Sequence, residues 1–220
     1  AGRQSGRKSI WREVMDQTNS GQTRIKWFEP RAFEPLAQYF DRDINYQSIA
    51  IYVPADKYDI KVRSHWTGDR TLRFRLALPP LVFIAKMVAP PDIGIMPMFY
   101  KLYRLCGDVN QAGLLCVEKF CFLNVNRDGY ICMGQRADPW VTQTPLERAR
   151  ETALHYFGSI FGGDDRSELC MRDDFLQTVA GGQPMFNPEL LEHWQRLTDD
   201  GVPIPWVQTY HTFLAKELST

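Results

Sequence analysis

No stretch of the chain stays apolar for the ~18 residues that a membrane span needs, and no basic, apolar and small-residue leader opens it. A soluble, cytoplasmic protein is therefore expected. Paired cysteine spacing is missing too: Cys106, Cys116, Cys121, Cys132 and Cys170 are odd in number and include no CxxC. Free thiols in a reducing compartment suit that pattern better than a disulfide framework, and it carries no signature of a structural zinc site. Net charge is absent, because 26 Lys and Arg cancel 26 Asp and Glu, which argues against a general polyanion-binding surface and against a nucleic-acid partner. Only Arg3, Arg7, Lys8 and Arg12 cluster positive charge, and they read as a solvated terminus. Internal repeats and low-complexity tracts are also lacking.

The rest is ordinary globular material. With 220 residues, 44% hydrophobic and 24% charged, the chain can bury one substantial core, so a single main domain is expected. "SIWREVMDQTNSG" carries Ile10, Trp11, Val14 and Met15 at helical spacing, and "RAFEPLAQYF" reads as a second short helix. Residues 1–45 would then be a helical extension.

From Tyr46 the period changes to two. "QSIAIYV", "YDIKVRS" and "RTLRFRLAL" alternate apolar with polar residues, most clearly where Leu72, Phe74, Leu76 and Leu78 interleave with Arg73 and Arg75. Pro54-Ala55-Asp56 and Gly68-Asp69 supply the turns, so an antiparallel meander with one wet face is expected. Pro79-Pro80 leads into "LVFIAKMV", and "MFYKLYRL" with "LLCVEKFCF" suggests a further hairpin.

Later segments turn helical. Thr144 as N-cap, Pro145 in the first turn and Glu147 completing a capping box open a helix ending at Gly162-Gly163, with Leu146, Ala149, Ala153, Leu154, Phe157, Ile160 and Phe161 as its buried stripe. Asn187 and Pro188 open another, with Leu190, Leu191, Trp194 and Leu197 inward and Gly201 as its stop. "TYHTFLAKEL" suggests a terminal helix. Strands followed by helices predict an α+β fold, an antiparallel sheet backed by helices, with a core over residues 46–175 and a helical segment over 176–220.

The segment "FLNVNRDGYICMGQRADPW" sets Asn124 eight residues before Cys132 and Trp140 eight after it. By composition alone each of the five cysteines reads as a small core hydrophobe, and Asn124 as a backbone-structuring residue. An Asp128-Gly129 turn, however, exposes the residues just beyond it, and Gly134 leaves room for a close approach to Cys132.

Those offsets, with "DGYIC" and the upstream "LPPLVFIAKM", resemble the ubiquitin-conjugating enzymes, over roughly residues 46 to 175. "PPLVF", "NVNRDGYICMG" and "HYFGSIF" are most similar to the bacterial conjugating-enzyme-like family called PRTRC system protein B, prokaryotic family D. The resemblance implies a conjugating-enzyme fold and an acyltransferase that takes a ubiquitin-like protein as a cysteine thioester and passes it to an amine. Cys132 would be the thioester-forming nucleophile and Asn124 the oxyanion donor, with Asp164 or Asp165 on the side of the incoming lysine. Trp140 would pack beside the site. Its implied partners are a ThiF-like activating enzyme, a ubiquitin-like modifier and a JAB-type deconjugating peptidase, with no cofactor or metal, since the tail arrives already activated.

Two departures accompany the match. Phe122-Leu123 stand where the family has His-Pro, and the extra hairpin precedes the cysteine segment. These departures and the residue types leave two other readings: an inactive conjugating-enzyme-like scaffold that binds a ubiquitin-like partner, or a cysteine hydrolase pairing Cys132 with His155, His193 or His211.

Overall fold

A strand that is apolar on both faces must lie between two layers, because successive side chains point to opposite sides of a sheet. The computed structural model describes residues 13–14, 24–41, 45–63, 70–88, 96–107, 115–120, 122–126, 128–133, 144–162, 188–206 and 211–220. Its strands are β1 (Glu13–Val14), β2 (Arg24–Trp27), β3 (Pro35–Asp41), β4 (Tyr46–Val53), β5 (Asp56–Arg63), β6 (Leu72–Leu78), β7 (Leu81–Val88), β8 (Met96–Cys106), β9 (Cys116–Lys119), β10 (Ile160–Gly162) and β11 (Thr212–Phe213). Its helices are α1 (Pro145–Gly158), α2 (Pro188–Asp199) and α3 (Leu214–Ser219).

The two-sided strands are β4 and β7, paired antiparallel from Tyr46↔Val88 to Val53↔Leu81. They occupy the middle of an eight-stranded sheet of order β1-β2-β3-β4-β7-β8-β9-β11. Ile49, Ile51, Leu81, Phe83 and Ala85 face one core, shared with α1, α2 and a three-stranded sheet of order β10-β5-β6. Ala50, Val82 and Ile84 face a second core, closed by Leu214 and Leu218 of α3 and by Ile25, Trp27, Leu36 and Tyr39. The fold is α+β and mostly antiparallel. No described helix is long and apolar enough to cross a membrane.

Four expectations are corrected. The described N-terminal residues are strands: Glu13 pairs with Lys26 across β1 and β2, and "PLAQYFD" is β3, with the register shifting just after Pro35. Pro35 has no backbone N–H to give a helix, and Tyr39 gains a buried place against Tyr46 on the neighbouring strand. The remaining residues of "SIWREVMDQTNSG" lie outside the described residues.

The meander is also split. β4 pairs with β3 and β7, whereas β5 and β6 leave the main sheet as a hairpin from Asp56↔Leu78 to Val62↔Leu72. The single wet face holds only for that hairpin, where Phe74, Leu76 and Leu78 are buried and Arg73 and Arg75 are exposed. At the edge of β6 the helix α2 takes the place of a neighbouring strand. Thr198 Oγ1 accepts from the Ala77 N–H at 2.9 Å, Gln195 Oε1 accepts from the Arg75 N–H at 3.2 Å, and Trp194 Nε1 donates to the Ala77 carbonyl at 3.1 Å. Three side chains thus satisfy backbone groups that a strand would otherwise pair.

α1 opens on its capping box, with the Thr144 N–H donating to Glu147 Oε2 at 2.9 Å and the Glu147 N–H to Thr144 Oγ1 at 3.3 Å. It stops at Gly158 rather than Gly162-Gly163, because Ser159 turns back to the Tyr156 carbonyl and Ile160, Phe161 and Gly162 pair parallel with β5. Phe161 is buried there, while Leu154 and Ile160 are exposed rather than part of a stripe. The terminal helix is shorter than expected, since Thr212 and Phe213 pair with β9 before α3 begins. Leu190, Leu191 and Trp194 of α2 are buried as the spacing implies, and Gly201 stops the chain at φ 69°.

Candidate functional site

β9 covers only the last residues of β8, and the chain after it returns to cover the rest. The Phe120 N–H donates to the Leu102 carbonyl at 3.2 Å, the Leu102 N–H to the Gly129 carbonyl at 2.9 Å, and the Ile131 N–H to the Tyr100 carbonyl at 2.9 Å. Between these anchors lies a tight turn. Asn126 Oδ1 accepts from the N–H groups of Asp128 at 2.9 Å and Tyr130 at 3.0 Å, and Gly129 takes φ 84°. Val125 and Ile131 bridge across it. The next pair outward is Asn124 and Cys132, joined by the Cys132 N–H donating to the Asn124 carbonyl at 2.7 Å.

The turn is fixed from beneath. Phe122 and Leu123 are buried, with the Phe122 ring against Phe120, Phe161 and Trp194 at centroid distances of 6.0, 5.6 and 5.9 Å. Tyr156 Oη of α1 donates to the Leu123 carbonyl at 2.7 Å. Asn124 is held at φ 59°, half-buried, with its Oδ1 3.7 Å from the point a Cβ on Gly162 would occupy. The Cys132 residue is exposed. Among the described residues neither the Asn124 amide nor the Cys132 thiol has a hydrogen-bond partner, so both remain available to a ligand.

Of the other expected residues, only the histidines are described. Asp164, Asp165, Gly134 and Trp140 lie outside the described residues, as do Cys121 and Cys170. His155 is on α1 and exposed, and His193 is on α2. His211 is at Glu118, its Nδ1 3.0 Å from Oε1, and not in a dyad with Cys132. Asn126 is the residue that sequence reasoning passed over. The Asn-x-Asp-Gly spacing of an Asx turn was the signal for it.

Two further groups depart from the apolar roles their neighbours suggest. Cys106 and Cys116 are half-buried rather than core residues, and the Cys106 thiol is pushed up to about 12 by burial and then by its hydrogen bond to Glu118. Lys86 is buried in the second core, its ammonium 5.8 Å from the centre of the Tyr46 ring and 5.2 Å from that of Phe99. Burial, with repulsion from Lys101 behind it, lowers Lys86 to about 8.

Comparison of the chain with protein-family models, with curated proteins and with solved structures gives no match in any of the three.

Proposed function

We propose that the protein is a ubiquitin-conjugating-like acyltransferase in which Cys132 carries the acyl group and Asn124 steadies the oxygen of the thioester. The observation that carries this reading is the 2.7 Å bond between the Cys132 N–H and the Asn124 carbonyl, which keeps an exposed thiol and an unengaged amide on adjacent strands of one rigid turn. An amide beside a thiol is what acyl exchange needs. The Cys132 thiolate attacks the carbonyl carbon of an incoming thioester, the activating enzyme's thiolate leaves, and the acyl group rests on Cys132. An amine then attacks the same carbon, negative charge gathers on the oxygen, and an Asn124 N–H pointed at that oxygen lowers the barrier before the Cys132 thiolate departs.

Asp164 or Asp165 would act on the lysine side, and a ThiF-like enzyme, a ubiquitin-like modifier and a JAB-type peptidase would be the partners. An inactive scaffold is the second reading, favoured by the buried Phe122-Leu123 pair where the family has His-Pro and by the split of β4 from β5.

One experiment separates them. The protein is mixed with ATP, a ThiF-like enzyme and its modifier, and the products are resolved with and without reductant. A reductant-sensitive adduct that vanishes in Cys132→Ala supports the transferase. Absence of any adduct, with the modifier still bound, selects the scaffold. In the transferase, Asn124→Gly keeps the φ of 59° without strain and is expected to load normally, while single-turnover transfer to an amine falls by ~10²–10³.

A further inference from the structure

At the opposite end of β8 from Cys132, a row of polar side chains crosses three strands. Arg104 on β8 lies directly opposite Glu118 on β9, and His211 lies next to Glu118 from the residue that leads into β11. The buried Glu118 carboxylate is shared: Arg104 Nη2 holds Oε2, and His211 Nδ1 is 3.0 Å from Oε1. Cys106, two residues along β8 from Arg104, projects from the same face. Its sulfur, a Glu118 oxygen and a His211 nitrogen all lie within 4.8 Å of one another. Strand register sets a second thiol next to these three, because Cys116 is directly across from Cys106.

We propose that Cys106, Glu118 and His211 bind a zinc ion, with Cys116 as the fourth ligand. A thiolate, an imidazole and a carboxylate are the donor types that a borderline-soft divalent ion selects over calcium or magnesium. Ligand bonds of ~2.0–2.3 Å in a tetrahedron require donor atoms roughly 3–4 Å apart; His211 Nδ1 and Glu118 Oε1 at 3.0 Å meet that, and all three donor atoms lie within 4.8 Å of one another. Charge also balances: two thiolates and one carboxylate offset the ion together with the Arg104 guanidinium. Arg104 then has the position of an outer partner that fixes the liganding carboxylate. His211 is about half exposed, which leaves a route from solvent to the site. Each cysteine releases its proton to water as the metal binds. The cluster was invisible to spacing rules because its ligands come from two strands and the residue ahead of a third, over a hundred residues of chain.

β8 rises ~3.3 Å per residue, so Cys106 is roughly 20 Å along the strand from Tyr100, whose carbonyl accepts from Ile131, the residue before Cys132. The site is thus independent of the proposed transfer chemistry. The test is to strip the full-length protein with chelator and titrate it with Co²⁺, then displace the cobalt with Zn²⁺. The expected result is one equivalent of Co²⁺ bound with thiolate-to-cobalt charge-transfer absorption in the near ultraviolet and tetrahedral ligand-field bands in the red. His211→Gln, at an exposed position that leaves both cores intact, is expected to weaken binding ~10–100-fold, and Cys106→Ser to do the same. Cys116→Ser halves the charge-transfer intensity, and Cys132→Ser leaves the spectrum unchanged. Circular dichroism of each variant verifies that it is folded. Absence of the charge-transfer band in the folded wild-type protein overturns the proposal, as does a band of full intensity and unchanged affinity in Cys106→Ser, or one that depends on Cys132. Full intensity in Cys116→Ser removes the fourth ligand.

Discussion

Lys86 is a cation placed among aromatic rings with its ammonium taken from water, and the cost of that placement depends on pH. Its native value near 8 is below the ordinary lysine value of 10.5. The unfolded chain therefore binds a proton that the native protein has released throughout the interval between those two values, and stability rises as pH climbs through that interval. Replacing Lys86 by Met keeps the volume and removes the titration. Lys86→Met is expected to stabilise the protein at pH 7 by on the order of 1–3 kcal/mol and to flatten the rise between about pH 8 and 10.5, read by urea unfolding across that range. The lysine was not legible as buried in "LVFIAKMV", because periodicity marks the face a residue points to and does not say whether that face is covered. The exposure of Cys132 was legible for the opposite reason: turn chemistry is local, and Asp128-Gly129 bends the chain whatever packs around it.

Among the elements, those whose ends are written in short-range chemistry were the easiest to read. The Thr144 and Glu147 capping box starts α1 where it was expected, and Leu190, Leu191 and Trp194 orient α2. The far end of α1 was not readable, because Ile160 and Phe161 keep the helical apolar spacing but find partners on β5, about a hundred residues back. α2 carries a role no helix pattern announces, since Thr198, Gln195 and Trp194 stand in for the strand missing at the edge of β6. Thr198→Val preserves shape and leaves the Ala77 N–H unpaired beneath the helix. It is expected to cost about 1–3 kcal/mol by chemical denaturation and to speed amide exchange at Ala77 ahead of its neighbours on β6.

For the whole molecule, alternation identified the strands from Tyr46 onward but not their partners. A period of two fixes which residues share a face, and the choice between β5 and β7 as neighbour of β4 is made by tertiary packing. The result is a central sheet with a core on each side. Leu191→Ala on one side and Leu218→Ala on the other are each expected to lower stability by about 2–5 kcal/mol in a single thermal transition observed alike by far- and near-ultraviolet circular dichroism.

The second core is closed by α3 against β3 and β4, strands that precede it by more than 150 residues. During synthesis the early hairpin leaves the ribosome with Tyr39, Ala50 and their neighbours bare on that side, and stays so until Leu214 and Leu218 emerge. At ~5–20 residues per second this is an interval of roughly ten seconds or more, in which that side of the strands lacks its native cover and is open to aggregation.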